Sequence, residues 1–308
     1  EDTLSLHDAL PISYGLFFWT DLAGKAFDRW ENGHDGYGSF EDLDAAKLAD
    51  VRKFFDSFYG PANAVIAIVG DVNAEETFAR VKKYFGGIPA RKPPARPALD
   101  EPLNKEERTL SQTDPLAKVP AVAIGWKMPA RGSKDHVAAA VLGSLLVDGD
   151  ASRLYLGLVK GKELLLNLSG GVNWPLGTPW SYDGPTLLTL FALYKPNADA
   201  RAVAAAVQEQ VERVAREGVL AEELQRVKTK MRADYYSELE LPLNRANELA
   251  IAQSLSGDAN QVAALPDKID LIQSDDLKRV AATYLTVQNR TVIDRRPAAA
   301  QKPAGGSK

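Results

Sequence analysis

The stretch Gly149-Asp150-Ala151-Ser152-Arg153-Leu154-Tyr155-Leu156-Gly157-Leu158-Val159-Lys160 constrains this chain more than any other. It follows an apolar helical pattern, Val137 to Val147, and precedes a strand-like run, Leu164 to Leu168. Helix, glycine break, short helix and strand in that order call for helices packed on a sheet. Gly149 supplies the turn, and Asp150 is placed to cap the short helix by accepting from its free N–H groups. Leu154 and Leu158, four residues apart, fall on one buried face.

Upstream, Tyr14 to Phe27 has Leu16, Trp19, Leu22 and Phe27 near helical spacing, and Trp30 to Gly38 reads as a polar loop. Asp42 to Tyr59 predicts one helix burying Leu48, Val51, Phe55 and Phe58, ended by Gly60-Pro61. Ala64 to Val69 is an apolar run suited to a buried strand. Asn73 and Glu76 form an N-cap pair for a helix whose buried stripe is Phe78, Val81 and Phe85, stopped by Gly86-Gly87. Pro89 to Pro102 holds five prolines and reads as a semi-rigid linker.

Beyond the linker, Arg108 to Thr113, Ala121 to Lys127, Thr186 to Tyr194 and Arg290 to Asp294 predict strands. Between the last two, valines at 203, 207, 211 and 214, then Leu224, Val227, Met231 and Tyr235, mark long helices. Three shorter helices follow: Asn244 to Leu255, Val262 to Ile272, and Asp275 to Leu285 with Ser274 as its cap. Pro297 to Lys308 is too poor in apolar residues to offset its ordering entropy, and its ragged composition suggests a natural C-terminus.

The Gly-x-x-Ser-Arg-Leu-Tyr-x-x-Leu-Val-Lys stretch resembles the second domain of the pitrilysin/insulinase (M16) family of zinc metallopeptidases. A second segment agrees: Gly38-Ser39-Phe40-Glu41-Asp42-Leu43-Asp44-Ala45-Ala46, Val51-Arg52-Lys53-Phe54-Phe55, then Tyr59-Gly60-Pro61-Ala62-Asn63-Ala64 through Asp71. In the family that segment ends the first, zinc-bearing domain. The resemblance covers Tyr14 to Arg290 and implies an α+β fold, a two-layer, mostly antiparallel sheet packed with helices. On it, residues 14–88 are the remnant of the zinc domain, 89–103 the linker, 104–294 the complete second domain and 295–308 a disordered tail. Residues 1–13, EDTLSLHDALPIS, match no part of the pattern; they resemble translated sequencing adapter and are set aside with His7.

The family's zinc site is His-x-x-Glu-His on a helix with a downstream Glu ligand. The three histidines here, His7, His34 and His136, never form that motif. The resemblance places the last zinc ligand just before Tyr14, so the expected catalytic, cofactor-binding and metal residues of this chain are none. His34 reads as solvent-facing, and His136, without an acidic partner at ligand spacing, as surface. The family's substrate-holding Arg/Tyr pair falls on Val159 and Leu166, which cannot donate, so the resemblance implies a partner half supplying the pair, as homo- or heterodimer.

No cysteine is present, which excludes disulfides, thiolate zinc sites and cysteine nucleophiles. A net charge of −4 with no concentrated basic face argues against a nucleic-acid partner. No apolar run approaches the roughly 20 residues that span a bilayer. Glu222-Glu223 and Asp275-Asp276 sit at helix starts, where carboxylates favour the dipole. Arg153 and Tyr155 are expected to brace a helix against the sheet. Trp174, Trp180 and Tyr182 are expected to pack their rings on the sheet, peptide recognition being the rival role.

The resulting expectation is a fragment of a zinc metalloendopeptidase that forms a chamber wall for peptide substrates, inactive without the missing N-terminal zinc domain. The alternative is a non-proteolytic structural or assembly subunit of the same fold. Family resemblance alone suggests a periplasmic or envelope location. The truncated first domain is expected to expose the apolar Ala64–Val69 face and to be poorly soluble.

Overall fold

The computed structural model describes residues 17–34 and 38–298. The expectations for residues 1–13, His7, Tyr14 to Leu16 and the tail beyond Ala298 lie outside them. In chain order the elements are α1 (Phe17–Thr20), α2 (Leu22–Ala26), α3 (Trp30–Gly33), α4 (Phe40–Ala45), α5 (Leu48–Phe58), a 3-10 turn (Pro61–Asn63) and α6 (Ala74–Phe85). Then come β1 (Arg108–Asp114), β2 (Ala121–Lys127), α7 (His136–Val147), a π-helical turn (Tyr155–Gly161), β3 (Ser169–Val172) and β4 (Leu187–Leu193). The chain closes with α8 (Ala200–Glu217), α9 (Ala221–Glu240), α10 (Pro242–Ser256), α11 (Gln261–Asp270), α12 (Ser274–Tyr284) and β5 (Arg290–Pro297). Two compact units result: one of residues up to 35, 100–224 and from 272 on, the other of 36–99 and 225–271.

The first unit is built on a five-stranded sheet of order β1-β5-β2-β4-β3, in which only β1 and β5 run parallel. This is the mixed, mostly antiparallel sheet packed with helices that the sequence implies. β2 is central and every one of its residues is buried, as a continuous apolar run requires when both faces are covered. Val122, Ile124 and Trp126 face one way, on the side of α7, α8 and α12. Helix α7 is apolar all round and buried along most of its length. It reaches the sheet closely because a Cβ on Gly143 would stand 2.8 Å from Val172 Cγ2.

The opposite face is covered by α1 and α2. Phe17, Leu22, Ala26 and Phe27 form one core with Ala121, Ala123, Leu187 and Ile293. Charged groups tie this cover down. Arg295 lies over the Phe17 ring at 4.7 Å and bonds Asp21 at 2.8 Å, while Arg108 donates to the Lys25 and Ala26 carbonyls and pairs with Asp28.

One carboxylate organises the end of that cover. Glu101 accepts from Lys127 Nζ at 2.5 Å, the Asp28 N–H at 2.7 Å and Asn32 Nδ2 at 3.0 Å, with both charged side chains almost wholly buried. Burial acts to raise its pKa, but the hydrogen bonds from Lys127, Asp28 and Asn32 and the Lys127 charge outweigh it and hold the carboxyl below its usual value.

The second unit holds α4 to α6, the proline-rich residues to 99, the rest of α9, α10 and α11. Arg91 pairs with Asp56 at 2.7 Å, Lys228 donates to the Asp270 carbonyl at 2.8 Å, and the Tyr235 hydroxyl to the Val262 carbonyl at 3.0 Å. Here the sequence-based expectations need correction. The helix predicted over Asp42 to Tyr59 is two helices, because the Asp50 carboxylate takes the Lys47 N–H at 3.0 Å and starts a new helix there. Leu48, Val51, Phe55 and Phe58 are not buried but 65, 60, 56 and 40% exposed. Phe78 and Phe85 are likewise exposed. Ala64 to Val69 has no regular secondary structure and belongs to no strand; its Ile66 and Ile68 stand exposed. The Asn73 cap is present, accepting from the Glu76 N–H at 3.1 Å.

Smaller differences have local causes. The Tyr14–Phe27 helix is interrupted, and the Trp30 to Gly38 loop contains α3. Leu164 to Leu168 makes only an isolated bridge, Leu165 to Tyr194, because the Leu164 and Leu165 N–H groups both donate back to the Leu158 carbonyl. Gln273, not Ser274, caps α12, its N–H held by Asp276, while the Ser274 hydroxyl turns to the Val219 backbone. β5 runs on to Pro297 because its partner β1 continues beside it.

Two outcomes follow. Glu101→Gln leaves Lys127 buried without its counter-charge and should cost about 3 kcal/mol, read as a shift in the urea midpoint. Because the Glu101 pKa is lowered on folding, its contribution is complete above pH about 4.3 and is lost as pH falls through the folded value; the variant should show a flatter acid limb. Amides of residues 48–85 should exchange with deuterium faster than those of β2 and β4; equal protection would contradict the exposure of that segment.

Candidate functional site

The segment after α7 turns at Gly149, which adopts φ +75°. The short helix that follows is not capped as predicted: Asp150 is exposed, and the backbone turns through Ser152 N–H donating to the Gly149 carbonyl. Leu154 and Leu158 are buried as their spacing requires. Between Tyr155 and Gly161 the helix widens to π geometry, with the Lys162 N–H reaching back to Gly157 at 2.9 Å. Such turns are rare and concentrate at functional places, and nothing in the sequence spacing signals this one.

Arg153 does not brace the helix against the sheet. Its guanidinium makes two hydrogen bonds to Glu223, at 2.7 and 2.6 Å, and a longer one to the Gly218 carbonyl. Glu223 lies in the first turn of α9, so the carboxylate meets both the arginine and the helix's free N–H end. Tyr155 stands beside Lys160, whose ammonium is 5.7 Å from its ring.

The histidines are far from any zinc-site arrangement. His34 is exposed, stacked on Trp30 at 4.3 Å, with Nδ1 at 3.0 Å from the Trp30 carbonyl. His136 was expected at the surface and is instead buried, with Nε2 at 2.9 Å from the Pro179 carbonyl and its ring against Trp180. Its partners come from a loop more than 40 residues away, so no local spacing could have revealed them. Among the described residues, no group of three or more His, Cys, Asp or Glu is placed to hold a metal ion. The described residues therefore offer no donor set that fits zinc. Val159 is half-buried and Leu166 exposed, and both are apolar.

The aromatic loop packs its rings inward. Trp174 stacks on Phe18 at 4.7 Å and Trp180 stands edge-on to His136 at 5.3 Å. The Tyr182 hydroxyl donates to Asn32 Oδ1 at 2.9 Å. Burial, together with the charges of Glu31, Asp183 and Glu101, pushes the Tyr182 phenol above its usual value. Among the described residues no helix is long and apolar enough to cross a membrane.

Comparison with known proteins agrees with this arrangement. The family model described as the peptidase M16 inactive domain matches residues 45–231, more than half of the chain. The zinc protease PqqE of Helicobacter pylori is 28% identical over 268 residues, 84% of this chain and 57% of its own length. A solved protease from Helicobacter pylori has a TM-score of 0.81 at 25% identity, covering 91% of this chain and 66% of that one. A peptidase M16 inactive domain from Pseudomonas fluorescens shares the fold, with a TM-score of 0.78 at 14% identity, covering 94% of this chain and 66% of that one. The chain spans somewhat over half the length of the curated relatives it matches. With its mixed sheet, the Ser-Arg-Leu-Tyr turn and a family model matching most of both, the chain belongs to the peptidase M16 family, as an inactive domain.

Proposed function

We propose that this chain is the non-catalytic portion of a zinc metalloendopeptidase. It forms part of the wall of a chamber in which peptides are cleaved, and hydrolyses nothing by itself. The observation that carries this reading is the surface of residues 48–85. Leu48, Val51, Phe55, Ile66, Ile68 and Phe78 stand between 47 and 76% exposed, in rows that their own periodicity marks for burial. A folded domain seldom leaves so much apolar surface in water without a partner to cover it. In the proposal an upstream segment covers these rows and brings the His-x-x-Glu-His helix with it. The zinc-protease name of the Helicobacter pylori relative, of which this chain matches 57%, supports a metal in the whole protein.

The residues of this chain act by shape and position. Val159 and Leu166 offer no side-chain donor to a bound peptide, so the Arg/Tyr pair comes from a second peptidase-family half. The cover over the sheet, clamped by Arg108, Arg295 and Glu101, keeps the first unit closed while the halves move.

Purified without a tag, the chain alone should hold no stoichiometric zinc by elemental analysis and should leave a quenched fluorescent peptide uncut. Fused in frame to its upstream coding segment, it should take up zinc, cleave the peptide and lose most of its binding of an apolar dye. Zinc retention or cleavage by the chain alone would overturn the proposal. An upstream segment that covers the apolar rows but lacks the zinc motif would replace it with the structural-subunit reading.

A further inference from the structure

Both arginines of the proline-rich segment end on the C-terminus of a helix. Arg91 donates to the Asp56 carbonyl at 3.2 Å and to the Asp56 carboxylate at 2.7 Å, in the last turn of α5. Arg96 donates to the Ser254 carbonyl at 2.5 Å, in the last turn of α10. The last four carbonyls of a helix have no partner inside it, and a cation placed there meets the negative end of the dipole. Each guanidinium therefore fills a need that the helix cannot meet from its own backbone.

The chain between the two arginines is stiff. Pro93, Pro94 and Pro97 fix their own φ and hold the residues before them out of the helical region, which favours a polyproline II course of three residues per turn. Burial follows that period. Pro93 and Leu99 are half-buried, Arg96 midway between them turns its guanidinium to α10, and the other residues from 89 to 98 are exposed. Five residues on such a course span about 15 Å, a set distance between the two helix ends. Neither α5 nor α6 packs extensively on another helix or strand among the described residues, so the arginines supply an attachment that side-chain packing does not.

We propose that residues 91–96 form a rigid strap that couples the C-terminal ends of α5 and α10, so that neither end loosens without the other. An exposed pair such as Arg91 with Asp56 is weak by itself. The strap draws its strength from joining two caps through a proline-stiffened spacer, which loses little conformational freedom on docking. Its use rests on the proposed function: a braced α5 presents Leu48, Val51 and Phe55 as one prepared surface, and an upstream segment that docks there does not have to order it first. The strap forms in the chain alone, so it stands or falls separately from zinc uptake and cleavage by the fused protein.

The test is amide hydrogen–deuterium exchange of the purified full chain, read by mass spectrometry, in Arg91→Ala, Arg96→Ala and the double variant Pro93→Gly/Pro94→Gly. Arg91→Ala should speed exchange in the last turn of α10 as well as in α5, and Arg96→Ala in the last turn of α5 as well as in α10, each by about two- to fivefold. The glycine variant keeps both arginines and should loosen both helix ends together. Amides of β2 and β4 serve as the reference and should be unchanged throughout. If each arginine is only a local cap, its loss speeds exchange at its own helix alone and the glycine variant moves neither end. That result overturns the proposal, as does a rise in β2 and β4 as large as that in the helices, which reports general loosening and not release of a strap.

Discussion

The buried Lys127–Glu101 pair is the interaction on which the arrangement of the first unit depends. Lys127 is the last residue of the central strand, and its charge could not be held at 1% side-chain exposure without an opposite one. Glu101 comes from the proline-rich stretch before β1 and spends its remaining lone pairs on the backbone of residue 28 and the side chain of Asn32. A single carboxylate therefore joins the sheet, the connector and the short helices of the cover. Around it the amide of Asn289 bonds the Lys127 carbonyl at 2.9 Å, and its oxygen accepts the Asn104 N–H. The connector is thus fixed at its C-terminal end by buried hydrogen bonds, although its proline content alone reads as a spacer.

What could be read in the sequence follows from which forces are local. β2 and β4 were legible as strands because each is a short, largely apolar run rich in β-branched or bulky residues. Leu154 and Leu158 were legible because helical spacing fixes a face. The same reasoning misjudged Leu48, Val51 and Phe55, since periodicity says which side of a helix wants cover and not whether cover is present. His136 was misread because its partners are a carbonyl and a ring from a distant loop. Arg153 found Glu223, 70 residues away, where the sequence offered only a helix dipole for that acid. The π-helical turn left no trace in spacing, because an extra residue per turn changes no residue type.

The two units differ in how completely they use their apolar groups. In the first, some buried polar side chains are paired across long stretches of chain: Tyr194 donates to Asp294 at 2.6 Å, and Asp135 is met by Arg279 and Tyr284. In the second, Leu243 in α10 and Leu271 just after α11 are largely exposed, as are the rows on α5 and α6. The contrast is one of local composition: the first unit has a central sheet on which its apolar groups pack, and the second has none among its described residues.

The position of β5 bears on how such a chain is made. The sheet order places it between β1 and β2, both of which are translated well over 150 residues earlier. Until β5 leaves the ribosome, β1 has no neighbour in the sheet, and β2 has only β4. Non-local closure of this kind is slow, and the unpaired strand edges that wait for it invite association with other nascent chains. The apolar cover of α1 and α2 precedes every strand of this sheet in the sequence and so is translated before the faces of β2 and β4 that it covers. The packing element is thus made before the sheet that it packs on, and the strand that completes the sheet is made last among the five.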